Sequence, residues 1–281
     1  MRTVIVGAAG QLGRALQQEF PDAVALDRTA LDVTDAAAVR AFDWAGVDVV
    51  LNAAAWTAVD AAEDPANAAA VRAVNVDAVA HLAEAAGQHG AALVHLSSEY
   101  VFDGRSAGPI PEDAPPSPLS VYGRSKADGD ACATAIDRHW LVRTTWVVGE
   151  GRNFVRTMAG LADRGVAPSV VDDQIGRLTA TSDLAAGIRH LVGTGAPYGT
   201  YNLTGDGEPV SWADVAELVF TARGRSAGDV TRVSTAEYFA GQTGVAPRPL
   251  NSVLDLGRIR AAGFRPRDWR QMLDGYLSGL S

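Results

Sequence analysis

The sequence predicts an α/β fold, a Rossmann-type doubly wound parallel sheet with a smaller C-terminal substrate-binding lobe. Three observations predict it. Short β-branched runs alternate with helical patterns from residue 3 to about residue 146. The first run enters Gly7-x-x-Gly10-x-x-Gly13 and leaves in a helical pattern, Leu12, Leu16, Phe20. After Trp146 the rhythm changes to irregular loops and isolated amphipathic helices.

The strand-glycine-helix unit at the N-terminus is a dinucleotide-binding signature. Glycine lets the backbone approach a pyrophosphate, and the helix N-terminus supplies N–H donors and positive partial charge. Gly7, Gly10, Gln11 and Leu12 are therefore candidate cofactor contacts. A second strand, Ala23 to Leu26, ends at Asp27-Arg28. Asp27 suits the adenosine ribose hydroxyls and Arg28 suits a 2′-phosphate, so NADPH and NADH both stay open. Asp32 and Val33 follow; Asp32 is placed to accept from an adenine amino group, or is an ordinary loop carboxylate. A short helix follows Asp35, and Val47 to Leu51 is a third strand. Small residues at its C-terminal end, Ala53, Ala54 and Ala55, leave room for a flat cofactor outside the strand ends.

Residues 65–89 read as one alanine-rich helix, with His81 and His89 as ordinary helix residues. Leu93 to Leu96 is a fourth strand, ending in Ser97-Ser98-Glu99-Tyr100. A Gly/Pro-rich loop, Asp103 to Pro118, leads to Tyr122-Gly-Arg-Ser-Lys126, which opens a helix. Residues four apart on a helix share a face. An ammonium beside a phenol draws its pKa down from about 10. A tyrosine tuned that way trades protons with a carbonyl or alcohol, and Ser98 can hydrogen-bond the same oxygen. The pair alone is also what a solvated surface helix carries. Trp140 to Thr144 is the fifth strand, and Trp146 follows on the same rim.

Beyond Trp146 the pattern predicts a helix over 154–164, a strand at Ser169-Val171, a helix over 182–192 and a strand from Tyr198 to Leu203. Ser211-Trp-Ala-Asp214 reads as a capping box opening a helix to about Arg223, and a last helix starts near Arg267. The expected organisation is a nucleotide-binding domain over 1–146, rejoined by about 178–195, and a mainly substrate-binding lobe over 147–281.

Composition sets limits. The 281 residues are 47% hydrophobic and 20% charged, with a net charge of −9 and no basic run. That balance argues against nucleic acid as a partner. The single cysteine, Cys132, forbids an intrachain disulfide and reads as a small buried helix residue. No apolar run approaches the ~20 residues of a membrane span, and no group has metal-ligand spacing. A cytoplasmic protein is expected.

Together these segments resemble the extended short-chain dehydrogenase/reductases, and more closely the dTDP-4-dehydrorhamnose reductase family. The resemblance rests on Gly7-Ala-Ala-Gly-Gln-Leu-Gly13, Leu31-Asp-Val-Thr-Asp35 and Asn52-Ala-Ala-Ala-Trp-Thr-Ala-Val-Asp-Ala-Ala-Glu63. It continues in Ser97-Ser-Glu-Tyr-Val-Phe-Asp-Gly104, Pro118-Leu-Ser-Val-Tyr-Gly-Arg-Ser-Lys126, Arg143-Thr-Thr-Trp-Val147, Asn153-Phe154, Asp173-Gln-Ile-Gly176 and Arg248-Pro-Leu-Asn-Ser252. It spans essentially the whole chain. It implies NAD(P)H-dependent reduction of the C4 ketone of a dTDP-4-keto-6-deoxyhexose, as in dTDP-rhamnose biosynthesis, with a homodimer compatible. Tyr122 would donate the proton. Lys126 would lower its pKa and bind the nicotinamide ribose, and Ser98 would hydrogen-bond the carbonyl. Thr57 joins the cofactor contacts, and Glu99, Tyr100 and Trp146 fall where the family meets the sugar. Arg177 and Arg248 are candidates for the substrate pyrophosphate or for surface ion pairs. Two departures stand out: the family usually has Thr-Asp-Tyr at Ser98-Glu99-Tyr100, and a proline at Leu178. The alternatives are reduction of another dTDP-4-keto-deoxysugar, epimerase or dehydratase chemistry on a nucleotide sugar, and a noncatalytic NADP-binding regulatory subunit.

Overall fold

The computed structural model describes residues 1–280. Its core is a six-stranded sheet in which every pairing is parallel. The first five strands are β1 (Arg2–Val6), β2 (Val24–Leu26), β3 (Val47–Asn52), β4 (Ala92–Ser98) and β5 (His139–Thr144). Four two- or three-residue strands follow: β6 (Val147–Val148), β7 (Ser169–Val171), β8 (Ile175–Gly176) and β9 (Thr179–Ala180). The sixth sheet strand is β10 (Gly199–Asn202), and β11 (Val210–Ser211) and β12 (Thr231–Val233) complete the set. The sheet order is β10-β5-β4-β3-β1-β2. The chain runs outward from β1 to β2, then returns to the other side of β1 for β3. The strand order therefore reverses between β1 and β3, where open α/β sheets hold ligands.

Alternation along the strands assigns the two faces. Ile5, Leu51, Val94 and Val142 pack with Leu16 of α1 (Gln11–Glu19) and with Leu184 and Ile188 of α7 (Thr181–Thr194). Val4, Val6 and Val50 face Val79 and Leu82 of α4 (Ala78–His89). Both sheet faces are covered, which parallel strands require. A second core gathers Met158 of α6 (Phe154–Asp163), Phe220 of α8 (Trp212–Ala222) and Trp269 of α11 (Trp269–Ser278). The Ser211/Asp214 capping box forms as the sequence implies.

The expected helix over 65–89 is not uniform. It comprises a 3₁₀ turn at Pro65–Asn67, α3 (Ala68–Arg72), a π-helical turn at Ala73–Asp77, and α4. The π turn carries buried Asn75, whose side chain bonds to residues outside the helix. Its Oδ1 accepts from Trp56 N at 2.8 Å and its Nδ2 donates to Ser125 Oγ at 2.9 Å. A π turn at a functional cleft is a recurrent arrangement.

The chain's tail is knitted to the Asp103–Pro118 loop. Ile110 N donates to Val253 O, Asp255 N to Ile110 O, and Asn251 Nδ2 to the carbonyls of Ser106 and Gly108. Asn202 Nδ2 donates to Ile110 O as well. Among the described residues, no helix is long and apolar enough to cross a membrane.

Candidate active site

The C-terminal rim of the sheet holds a cleft of about 650 Å³ between the sheet and the second core. A neighbouring hollow of about 340 Å³ lies over β1 and β2. Gly10, Ala53 and Ala55 line both, so the two form one trough across the switch point.

The glycine turn makes that trough possible. Gly7 has φ +73, and a Cβ there would sit 2.5 Å from Ala54 N. Only glycine tolerates both. Gly10 begins α1 without a side-chain cap. The helix's first amides thus keep no protein side-chain acceptor, and the residues that carry them, Gln11 and Leu12, line the cleft. Such a terminus fits an anionic pyrophosphate. The hollow is lined by Gly7, Asp27, Arg28, Asp32, Val33 and Ala54. Oδ1 of Asp27 accepts from Thr29 N, Thr29 Oγ1 and Ala30 N, and these bonds hold its carboxyl below the usual range. Asp32 accepts from Thr34 and lies 3.3 Å from exposed Arg28, which lowers it likewise.

The chemistry-bearing residues meet in the larger cleft. Ser98 ends β4, Glu99 and Tyr100 form the 3₁₀ turn after it, and Tyr122 and Lys126 lie on α5 (Val121–Ala133). Helix α5 starts where it does because Ser120 accepts from Gly123 N and Glu63 Oε1 accepts from Val121 N at 2.7 Å. Thr57 and Trp146 complete the predicted set on the cleft wall. Tyr100 and Tyr122 pack edge to face, with centroids 5.3 Å apart.

The electrostatics differ from expectation at Tyr122. Its phenol is pushed up, not down, by burial first and by the Glu99 carboxyl second, with Ser98 pulling modestly the other way. Lys126 does not offset this, because its ammonium is turned away: Nζ donates to Leu96 O at 2.6 Å and lies 3.5 Å from His95 Nε2. Burial lowers Lys126 to about 8, with Asp130 opposing. Glu99 is buried and raised to about 7, and Ser98 Oγ donates to its Oε2 at 2.6 Å.

The two arginines separate. Arg248 reaches the cleft and grips Asp60 through two bonds of 2.9 and 2.8 Å. Arg177 does not line the cleft. Its guanidinium donates to Gly207 O and Leu254 O and sits in the field of Asp206, so its place is the support of the tail.

Several cleft residues escaped the sequence reading. Trp212 stacks on Trp146 at 3.7 Å and 15°. Trp146 itself has φ +48, alone in that region among non-glycine residues described. Gly176 leaves the space its ring fills. Thr145, Gln174 and Ser252 also line the wall. Thr145, Gln174 and Ser252 lie in the family-like segments but carried no assigned role, and Trp212, distant in sequence, reads as a helix-start residue. Beyond Gln174, Trp212 and Arg248 the cleft adjoins a pocket of about 210 Å³ walled by Phe154, Tyr238 and Phe239. Among the described residues, no cluster of three or more His, Cys, Asp or Glu could hold a metal ion.

Comparison with known proteins adds the following. Residues 1–281 match the family model described as RmlD substrate binding domain. The chain is 42% identical to a probable dTDP-4,6-dihydroxy-2-methyloxan-3-one 4-ketoreductase of Streptomyces antibioticus, covering 97% of this chain and 93% of that one. It is 39% identical to a dTDP-4-dehydrorhamnose reductase of Aggregatibacter actinomycetemcomitans, covering 97% of both. The crystal structure of dTDP-4-dehydrorhamnose reductase from Bacillus anthracis in complex with NADP superposes with a TM-score of 0.89 at 32% identity, over 99% of this chain and 98% of that one.

Proposed function

Since the chain belongs to the RmlD substrate binding domain family, we propose that it reduces the C4 ketone of dTDP-4-dehydrorhamnose to give dTDP-L-rhamnose. It is an NAD(P)H-dependent oxidoreductase of the extended short-chain dehydrogenase/reductase type, and a dTDP-sugar is its substrate class. The observation that carries the reading is the meeting of Ser98, Tyr122 and Lys126 in the cleft that the glycine turn also lines.

Bound NADPH or NADH supplies the hydride. The residues of the chain do the rest. Gly7, Gly10, Gln11 and Leu12 accommodate the pyrophosphate at the start of α1, and Asp32, Val33, Ala53, Ala54, Ala55 and Thr57 line its path. Tyr122 gives its phenolic proton to the oxygen that becomes the C4 hydroxyl. A phenol held high in pKa by its surroundings stays protonated, as an acid must before it acts. Ser98 bonds the same oxygen. Lys126, turned from the phenol, offers its ammonium to the nicotinamide ribose. Glu99, Tyr100 and Trp146 meet the sugar. The aromatic pocket beyond Trp212 suits the nucleobase, with Arg248 at its mouth for the pyrophosphate.

The nucleotide half comprises residues 1–146 with about 178–195, and the remainder mainly serves the substrate. This reading puts the enzyme in the cytoplasm, where nucleotide sugars are made. A second reading, reduction of another dTDP-4-keto-deoxysugar, draws on the 42% identity to the Streptomyces ketoreductase and on Glu99, longer than the residue usual in the family. The intact Ser98, Tyr122 and Lys126 set weighs against a purely regulatory role.

The test is a coupled assay. dTDP-4-dehydrorhamnose is generated from dTDP-glucose by the two preceding pathway enzymes, this protein is added, and NADPH and NADH absorbance are followed in parallel. Oxidation with dTDP-rhamnose as product supports the first reading. Turnover only with a different 4-keto-sugar supports the second. Cofactor binding without turnover of any keto-sugar overturns both.

A further inference from the structure

Beneath the catalytic candidates lies a buried polar cluster of which the reaction proposed above employs Lys126 alone. Asn52 ends β3, His95 lies in β4, Lys126 and Asp130 share a face of α5, and Arg143 lies in β5. All five are buried. Their hydrogen bonds fix which atom of His95 carries its proton.

Ala54 fixes the orientation of the Asn52 amide. Its backbone N–H donates to Asn52 Oδ1 at 3.1 Å. An N–H only donates, so the atom it meets is the Asn52 carbonyl oxygen, and the side-chain amide has one orientation. The amide nitrogen therefore faces His95 Nδ1, 3.1 Å away. That nitrogen also only donates, so Nδ1 accepts and the proton of neutral His95 sits on Nε2. The other side of the ring agrees. Nε2 lies 3.9 Å from Asp130 Oδ1, a buried oxygen with no hydrogen-bond partner among the described residues.

The consequence falls on Lys126, whose Nζ is 3.5 Å from Nε2. An ammonium has only donors and meets an N–H badly. A neutral amine has a lone pair and can accept from it. We propose that Asn52 and His95 are positioning residues that set the charge of Lys126: Asn52 fixes the proton on Nε2 of His95, and that N–H favours the amine of Lys126 over its ammonium. When Lys126 gives up a proton to water, an Nζ–H bond breaks and the amine left behind accepts from Nε2–H of His95. This rests on the reading of Tyr122 and Lys126 given above.

The charged surroundings fit the proposal. Lys126 and Asp130 face His95 from α5, and Arg143 approaches Asp130 from β5 at 3.6 Å. Ser97 Oγ occupies the other Asp130 oxygen at 2.8 Å. Burial and the Lys126 charge keep the imidazole neutral, well below its usual pKa. Lys126 is brought down to about 8.

Two measurements on the full-length protein test the proposal. The first is nitrogen-15 NMR of histidine-labelled protein, which reports each ring's tautomer; the chain has five histidines, and His95→Gln identifies the signal. Nδ1 unprotonated and Nε2 protonated at neutral pH is expected. A proton on Nδ1, or on both nitrogens, overturns the proposal without requiring any variant to be active. The second follows pH profiles of kcat/KM and of NADPH affinity. Activity should fall as pH rises through the Lys126 midpoint near 8. His95→Gln offers Nζ a carbonyl acceptor, and Asn52→Asp moves the proton to Nδ1; each should move that midpoint up by about one pH unit. Midpoints unchanged in folded variants overturn the control of Lys126, even with the expected tautomer. If no keto-sugar is reduced, the functional reading fails, while the tautomer and the NADPH-affinity midpoint still decide this one.

Discussion

The indole rings of Trp146 and Trp212 lie 3.7 Å apart and within 15° of parallel, one from the loop after β5 and the other from the first turn of α8. The stack joins the sheet's rim to the second core across the cleft. Trp146 is held there with φ +48, a conformation that costs a non-glycine residue energy.

Trp212→Ala removes a stacked pair worth about 0.5–1.5 kcal/mol. It should raise KM for the dTDP-sugar roughly two- to tenfold and leave NADPH affinity unchanged. Steady-state kinetics with each substrate varied in turn checks this; an equal loss for both would place Trp212 in general scaffolding.

Tyr122→Phe should lower kcat by roughly 10²–10⁴-fold, while the NADPH dissociation constant, read by fluorescence titration, changes little. Near-normal turnover would remove Tyr122 from the proton-donor role.

Gly7→Ala places a methyl group against the Ala54 backbone at φ +73. A loss of roughly 1–3 kcal/mol in stability is expected, with NADPH affinity falling alongside. Thermal melts with and without NADPH report both. A variant that melts like the parent would mean the turn relaxes freely.

Glu99 makes stability depend on pH. Its folded pKa of about 7 lies above the ordinary 4.5, so between those values the native state binds more protons than the unfolded chain. Stability then falls as pH rises from about 4.5 to 7 and levels off above. Glu99→Gln should remove that slope and stabilise the protein at pH 8 by on the order of 3 kcal/mol relative to pH 4. Urea denaturation at several pH values measures it; identical slopes for parent and variant would mean Glu99 titrates normally.

The sheet was legible because parallel strands buried on both faces write themselves as apolar runs, and β1, β3, β4 and β5 all have them. The glycine turn and the Tyr122/Lys126 pair were legible because each is local, within seven residues. What escaped is non-local. The π turn at Asn75 depends on Trp56 and Ser125 lying close in space, and alanine-rich helix patterns carry no mark of it. The direction of the Tyr122 shift failed for a related reason. Spacing puts Lys126 on the same helix face but does not show that Leu96 O captures its ammonium, nor that a buried Glu99 stands nearer in effect. Arg177 and Arg248 look alike in sequence, and only the fold separates the one bound to the tail from the one at the cleft.

The knitting of the tail onto the Asp103–Pro118 loop also sets a timetable. Arg248, Pro249 and Ser252 form part of the cleft wall, and the Ile110 bridge is closed by Val253, Leu254 and Asp255. A chain emerging from the ribosome can assemble β1 to β5 well before that, but such contacts, distant along the sequence, come last. The nascent protein would therefore hold its cofactor cradle early and its finished sugar site only after nine-tenths of synthesis, so that newly made chains bind nucleotide before they can consume it.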